Sequence, residues 1–144
     1  MCSLLMVTQD IISLKTKTRL VEEDATTERQ HEWYSFLLSN DMVETVYDNN
    51  HNLLGFLEYV YLDKIPQSWE DVQLFASDFV SGKILFVCNT IADCPHTLWK
   101  MKAELFRKNK GMDCLVWHNR KKDQFIVLKN IRKGEVISEK SLSQ

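Results

Sequence analysis

Apolar and polar positions along the chain repeat with two different periods, and the change of period marks the elements. Trp69, Val72, Phe75, Ala76 and Phe79 recur at the spacing of one helical face, with Gly82 just past them, which predicts a helix over Trp69–Val80. Leu98, Met101 and Leu105 repeat that spacing in a second segment that Pro95 can open. Lys108 and Lys110 suit its C-terminal dipole and Gly111 follows, so this helix is expected to run to about Asn109. Thr27 with Gln30 has the form of a capping box, opening a helix to about Leu38 with Trp33, Phe36 and Leu37 as its apolar stripe.

Between these segments the pattern is that of strands. Val43–Asp48 and Leu53–Leu62 are β-branched and aromatic runs around the polar turn Asn49-Asn50-His51-Asn52, which predicts a β-hairpin. Lys83–Ile91 holds the run Ile-Leu-Phe-Val-Cys, suited to a strand buried on both faces. Met112–His118 and Gln124–Leu128 read as strands around the charged turn Asn119-Arg120-Lys121-Lys122-Asp123. Lys133-Gly134-Glu135 suggests a last turn before Val136-Ile137. Residues 1–25 carry Leu4, Leu5, Val7, Ile11, Ile12 and Leu14 ahead of a basic and then an acidic stretch, a pattern that assigns no element. The order is helix, hairpin, helix, strand, helix, strand, strand. It predicts an α+β fold with a mixed, mainly antiparallel sheet and helices on both faces, because strand–helix–strand resembles a right-handed crossover and the hairpin adds antiparallel pairs.

Composition narrows the functional classes. The 144 residues are 44% hydrophobic and 26% charged, enough for one domain over 1–144 with a buried core, ending in a polar tail at 139–144. The glycines stand singly at Gly55, Gly82, Gly111 and Gly134, so neither a P-loop nor a GxGxxG fingerprint can form. Residues 1–72 hold five Lys/Arg against thirteen Asp/Glu, and residues 73–144 hold thirteen against seven. Acidic and basic sides of this kind can serve a protein partner, a homodimer included, or simply neutralise each other in the fold. The basic residues Arg107, Lys108, Lys110, Arg120, Lys121, Lys122, Lys129, Arg132 and Lys133, with Trp117, come without a nucleic-acid recognition motif. Cys2, Cys88, Cys94 and Cys114 form no CxxC pair, no signal peptide precedes them, and no apolar run approaches the length of a membrane span. A cytoplasmic protein with no membrane association is the expectation.

The hairpin followed by strand–helix–strand over about residues 43–131 resembles the GNAT-type acyltransferases. Within them it is nearest to the toxin-activating lysine acyltransferases of the RTX systems. The resemblance rests on element order and residue class: an apolar strand ending Asn89-Thr90-Ile91-Ala92, then Leu98-Trp99-Lys100, a strand, a charged turn and a strand. It implies transfer of an acyl group from acyl-CoA or an acyl carrier protein to an amine. The donor's phosphates would rest on the loop Ala92-Asp93-Cys94-Pro95-His96-Thr97, together with Asn89. That loop holds no glycine and carries a negative charge, unlike the usual coenzyme A loop. The toxin-activating branch further implies a catalytic His and a strand Asp. His31 and Asn89 stand nearest to those two, and Asn cannot take up a proton.

Single residues add candidate chemistry. The free N–H groups at Asp93–Thr97, at a helix start, suit an anion, unless Asp93 or Cys94 caps the helix instead. Glu58 alternates with Phe56, Val60 and Leu62, so its carboxyl is a candidate general base with a raised pKa, or else an ion-paired strand residue. His118 follows Trp117 beside a basic turn, a place for an acid–base or phosphate-contacting imidazole or for a solvated turn. Cys88, Cys94 and His96 match no zinc spacing, and no metal is expected. An acyltransferase with Glu58, His31 or His118 as base is the leading expectation. A non-catalytic binding or inhibitor module on the same scaffold is the rival, and a nucleic-acid binder a third reading.

Overall fold

Strand alternation and hydrogen-bond register, more than helix propensity, decide the architecture. The computed structural model describes residues 4–18, 27–75, 78–112, 114–119, 121–129 and 139–141. Among these residues four helices and six strands follow in the order α1 (Leu4–Lys17), α2 (Thr27–Ser39), β1 (Val43–Tyr47), β2 (Leu53–Leu62), α3 (Trp69–Leu74), β3 (Ile84–Ala92), α4 (Pro95–Lys108), β4 (Cys114–Asn119), β5 (Gln124–Lys129) and β6 (Glu139–Ser141). The sheet order is β1-β2-β3-β4-β5-β6. β1 with β2, β4 with β5 and β5 with β6 are antiparallel, whereas β3 and β4 are parallel. The fold is therefore α+β with a mixed, mostly antiparallel sheet. No helix among the described residues is long and apolar enough to cross a membrane.

Two compact units divide the chain, Met1–Glu58 with Asn89–Lys102 and Tyr59–Cys88 with Ala103–Gln144. In the first unit α1 and α2 pack together. α1 occupies the stretch to which the sequence pattern assigned no element. Its buried residues Thr8, Ile11 and Lys15 lie at helical spacing, and Asp10 accepts a hydrogen bond from the Tyr47 hydroxyl on β1 at 2.9 Å. The hairpin forms as its residues predict. The Asp48 carboxylate accepts from the N–H groups of Asn50 and Asn52, and His51 takes a left-handed φ of 62°. Gly55 sits where β2 meets the start of α4. A Cβ there would lie 2.6 Å from the Ile91 carbonyl oxygen and 2.9 Å from the Thr97 methyl group.

In the second unit the parallel register runs from Ile84–Cys114 to Val87–Trp117, and β4 continues antiparallel to β5 from Cys114–Lys129 to Asn119–Gln124. Leu85, Phe86, Val116 and Val127 form its buried centre. β3 is buried at Leu85 and Phe86 and half-buried from Val87 to Asn89, so burial on both faces holds only for its first part. α3 is shorter than its apolar spacing predicts. Ser68 caps its start by accepting from the Asp71 N–H, and Phe75 ends it. Past the helix the chain bonds to the end of β2 and the residue after it: Tyr61 N–H donates to the Phe79 carbonyl at 2.8 Å and Asp63 N–H to the Phe75 carbonyl at 2.9 Å. Asp78 accepts from the N–H groups of Val80 and Ser81, and Phe79 adopts a left-handed φ of 63°. Gly82 serves a close backbone approach, since its Cβ would lie 2.5 Å from the Leu62 oxygen. At the end of α4 the buried Asn109 side chain donates to the Leu105 carbonyl and accepts from the Tyr61 hydroxyl. The short β6 pairs with β5 inside the stretch expected to be a polar tail. The turn expected at Lys133-Gly134-Glu135, and Ala76, Arg120, Arg132 and Lys133, lie outside the described residues.

Gly55→Ala and Gly82→Ala each push a methyl group into backbone atoms and should cost about 1–3 kcal/mol. Gly111→Ala meets nothing within 4 Å and should stay within about 0.5 kcal/mol of the parent. Urea unfolding checks this: the first two variants should lower the midpoint at unchanged slope.

Candidate functional site

Alternation along β2 sends Phe56 and Glu58 to one side, and a carboxyl group thereby enters an apolar interior. Glu58 is fully buried. Its Oε2 accepts from Trp33 Nε1 at 2.9 Å, and its Oε1 accepts from the Tyr34 hydroxyl at 3.0 Å and from Asn89 Nδ2 at 2.5 Å. Trp33 and Tyr34 come from α2 and Asn89 from β3. Tyr34 also meets Phe56 edge to face, and the Lys15 ammonium lies 5.1 Å from the Tyr34 ring centre. Burial raises the Glu58 pKa, opposed by the charge of Lys15 and by the bonds from Trp33, Asn89 and Tyr34. The structure thus joins Glu58 and Asn89. His31 lies half-buried on α2.

The start of α4 is occupied by its own acid. The Asp93 N–H donates to the Leu54 carbonyl at 3.0 Å, and the Asp93 carboxylate accepts from the Thr97 hydroxyl. That bond holds the Asp93 carboxyl below the usual carboxylate range. Thr97 is buried, Cys94 is exposed with Sγ 3.5 Å from the Thr97 hydroxyl oxygen, and Ala92 closes β3 half-buried. His96 stacks on the exposed Trp99, ring centres 6.4 Å apart. The Asp93 carboxylate thus bonds to a side chain in the first turn of α4. No group of three or more His, Cys, Asp or Glu among the described residues is placed to hold a metal ion.

The second unit holds an imidazole with a carboxylate partner. His118, on β4, bonds through Nε2 to Asp123 Oδ1 at 2.8 Å. The His118 side chain is 11% exposed and that of Asp123 92%. Asp123 reaches it from the turn before β5 with a left-handed φ of 49°. The other side of the imidazole is aromatic, with the ring centres of Trp69 and Phe125 both 5.2 Å away. A carboxylate only accepts, so Nε2 carries the hydrogen of this bond, and in a neutral imidazole the lone pair is then on Nδ1. Sequence reasoning named His118 but not Asp123. The signal available was an acid five residues on, across a turn short enough to return it to the same strand end.

Glu58→Ala removes the acceptor shared by the buried Tyr34 hydroxyl and the half-buried Trp33 and Asn89 side chains, and should cost about 3–5 kcal/mol. Because burial holds the folded pKa above the unfolded one, this group favours the fold most when protonated, and that contribution fades as pH rises through the folded pKa. The stability advantage of the parent over Glu58→Gln should therefore be largest at acid pH and shrink toward neutrality. Paired urea titrations across that range check it, and an advantage growing with pH would contradict the assignment.

Comparison of the chain with protein-family models, with curated proteins and with solved structures finds no match in any of the three.

Proposed function

We propose that this protein is an acyltransferase that takes an acyl group from a thioester donor, acyl-CoA or an acyl carrier protein, and delivers it to an amine. The observation that supports this is the end of the parallel β3–β4 pair. The register stops at Val87–Trp117 while β4 runs on to His118, and there the Asp123-held imidazole offers a base. Ligands of sheets with parallel strands lie beyond the carboxyl ends of those strands, so this is where a reacting carbonyl is best accommodated. A general base must take the proton of the attacking amine as the amide forms, and Nδ1 of His118 has the lone pair for it. Glu58 has a different part in this reading. Its oxygens are engaged by three donors deep in the first unit, and it holds α2 and β3 to β2.

One observation favours a second reading, a binding module without turnover. The Asp93 carboxylate occupies the α4 start, so negative charge already sits where a donor's phosphates would rest. The exposed Trp99, stacked on His96, provides an apolar contact beside it.

Incubation with acetyl-CoA and longer acyl-CoAs in the presence of a primary amine separates the two. For the enzyme, thermal unfolding should shift by the equivalent of about 2.7 kcal/mol at a donor concentration ~100 times Kd, and free thiol should appear with the amide. His118→Gln should slow amide formation by about 100-fold or more at unchanged donor-induced stabilisation. Absence of both stabilisation and thiol release with every CoA and carrier-protein donor would leave the binding module.

A further inference from the structure

Val87 pairs with Trp117, so Cys88 and His118 are the next residues on two neighbouring strands. Phe86 and His118 both stand against the Trp69 ring, at 5.7 and 5.2 Å between centres, which places them on one face of the sheet. Side chains alternate along a strand, so Cys88, two residues after Phe86, is on that face as well. A half-buried thiol, its Sγ 4.0 Å from the Phe86 carbonyl oxygen, therefore shares one face of the sheet with a sheltered imidazole held by an exposed carboxylate, at neighbouring positions where the β3–β4 register ends and all within the second unit. The other cysteines of the described residues differ: Cys94 is exposed on the α4 start, and Cys114 is buried at the opposite end of β4.

We propose that Cys88 is the nucleophile that carries the acyl group between donor and amine, with His118 transferring the proton and Asp123 orienting the imidazole. This rests on the acyltransferase reading and specifies its route. In the first half, His118 Nδ1 takes the Cys88 thiol proton and Sγ forms a bond to the donor's carbonyl carbon. The donor's carbon–sulfur bond breaks, and its thiolate leaves with the proton from His118. In the second half the amine nitrogen bonds to that carbon and the Cys88 carbon–sulfur bond breaks. The amine's proton passes through His118 back to the Cys88 sulfur. No oxidant or further reactant is needed. Exchange between one thioester and another is nearly balanced in bond energy and formation of the amide is downhill, so a thiol suits a thioester donor. The His–carboxylate pair supplies the base that such a thiol requires.

Intact-mass measurement after mixing with acetyl-CoA or a longer acyl-CoA, without amine, should show one acyl adduct. Peptide mapping should place it on Cys88, and it should be labile to hydroxylamine and discharged by a primary amine. Cys88→Ala should lose the adduct and at least about 100-fold of amide formation while keeping the donor-induced thermal shift. Asp123→Asn, at an exposed position that the fold tolerates, should slow both half-reactions. Full amide formation by Cys88→Ala, or an adduct elsewhere, overturns the Cys88 route and leaves the acyltransferase standing. Absence of amide and of donor binding in the parent overturns both. Alkylation by iodoacetamide needs no donor: at neutral pH Cys88 should react about tenfold faster than the more exposed Cys94, and Asp123→Asn should reduce that advantage. Equal rates in the parent overturn the proposal.

Discussion

One buried carboxyl group constrains the first unit, because three hydrogen bonds tie it to two other elements. Glu58 can leave water only if its oxygens find donors, and they find them on two other elements, the Trp33 and Tyr34 side chains of α2 and the Asn89 side chain of β3. Apolar packing tolerates sliding by fractions of an ångström, whereas three hydrogen bonds to two oxygens do not. The register of Val43 opposite Glu58 in the hairpin, the rotation of α2 and the setting of Asn89 are consequently fixed together. The Lys15 ammonium adds charge compensation from α1, with the Tyr34 ring beneath it.

The two carboxylates of greatest interest do opposite kinds of work because of where water is. Glu58 is fully enclosed, so its bonds set positions. Asp123 stands in solvent while its partner imidazole is sheltered by Trp69 and Phe125, so its bond sets a tautomer. Of the two acids, only Asp123 is open to solvent.

Much of the fold was legible in the sequence where a single period dominates. The hairpin, β3, α4, β4 and β5 all lie within a few residues of where alternation, Pro95 and the polar turns put them. α3 was overcalled because the apolar residues that continue its helical spacing serve a non-helical purpose, and carbonyl capture by another strand leaves no periodic trace. α1 escaped notice because its buried face includes Thr8 and Lys15, which no apolar count would include. The Glu58 setting could be read from its apolar neighbours on alternate positions. The identity of its donors could not, since Trp33 and Tyr34 are adjacent residues pointing at one carboxyl from a helix whose rotation only packing decides. Asn109 is a similar case: its buried amide joins the end of α4 to Tyr61, yet in sequence it is an ordinary polar residue after a helix.

β1 reaches only as far as Val43 opposite Glu58, so the remainder of β2 extends past its hairpin partner. Phe79 and Phe75, after α3, accept there from Tyr61 on that remainder and from Asp63 just past it. A bare strand edge rich in Tyr, Val and Leu is a template on which a second chain can add its own strand. The left-handed turn at Phe79 thus helps to cover part of an edge that would otherwise be open to such an addition. Loosening it would first be felt in how long the protein stays monodisperse at high concentration, before any loss of the fold itself.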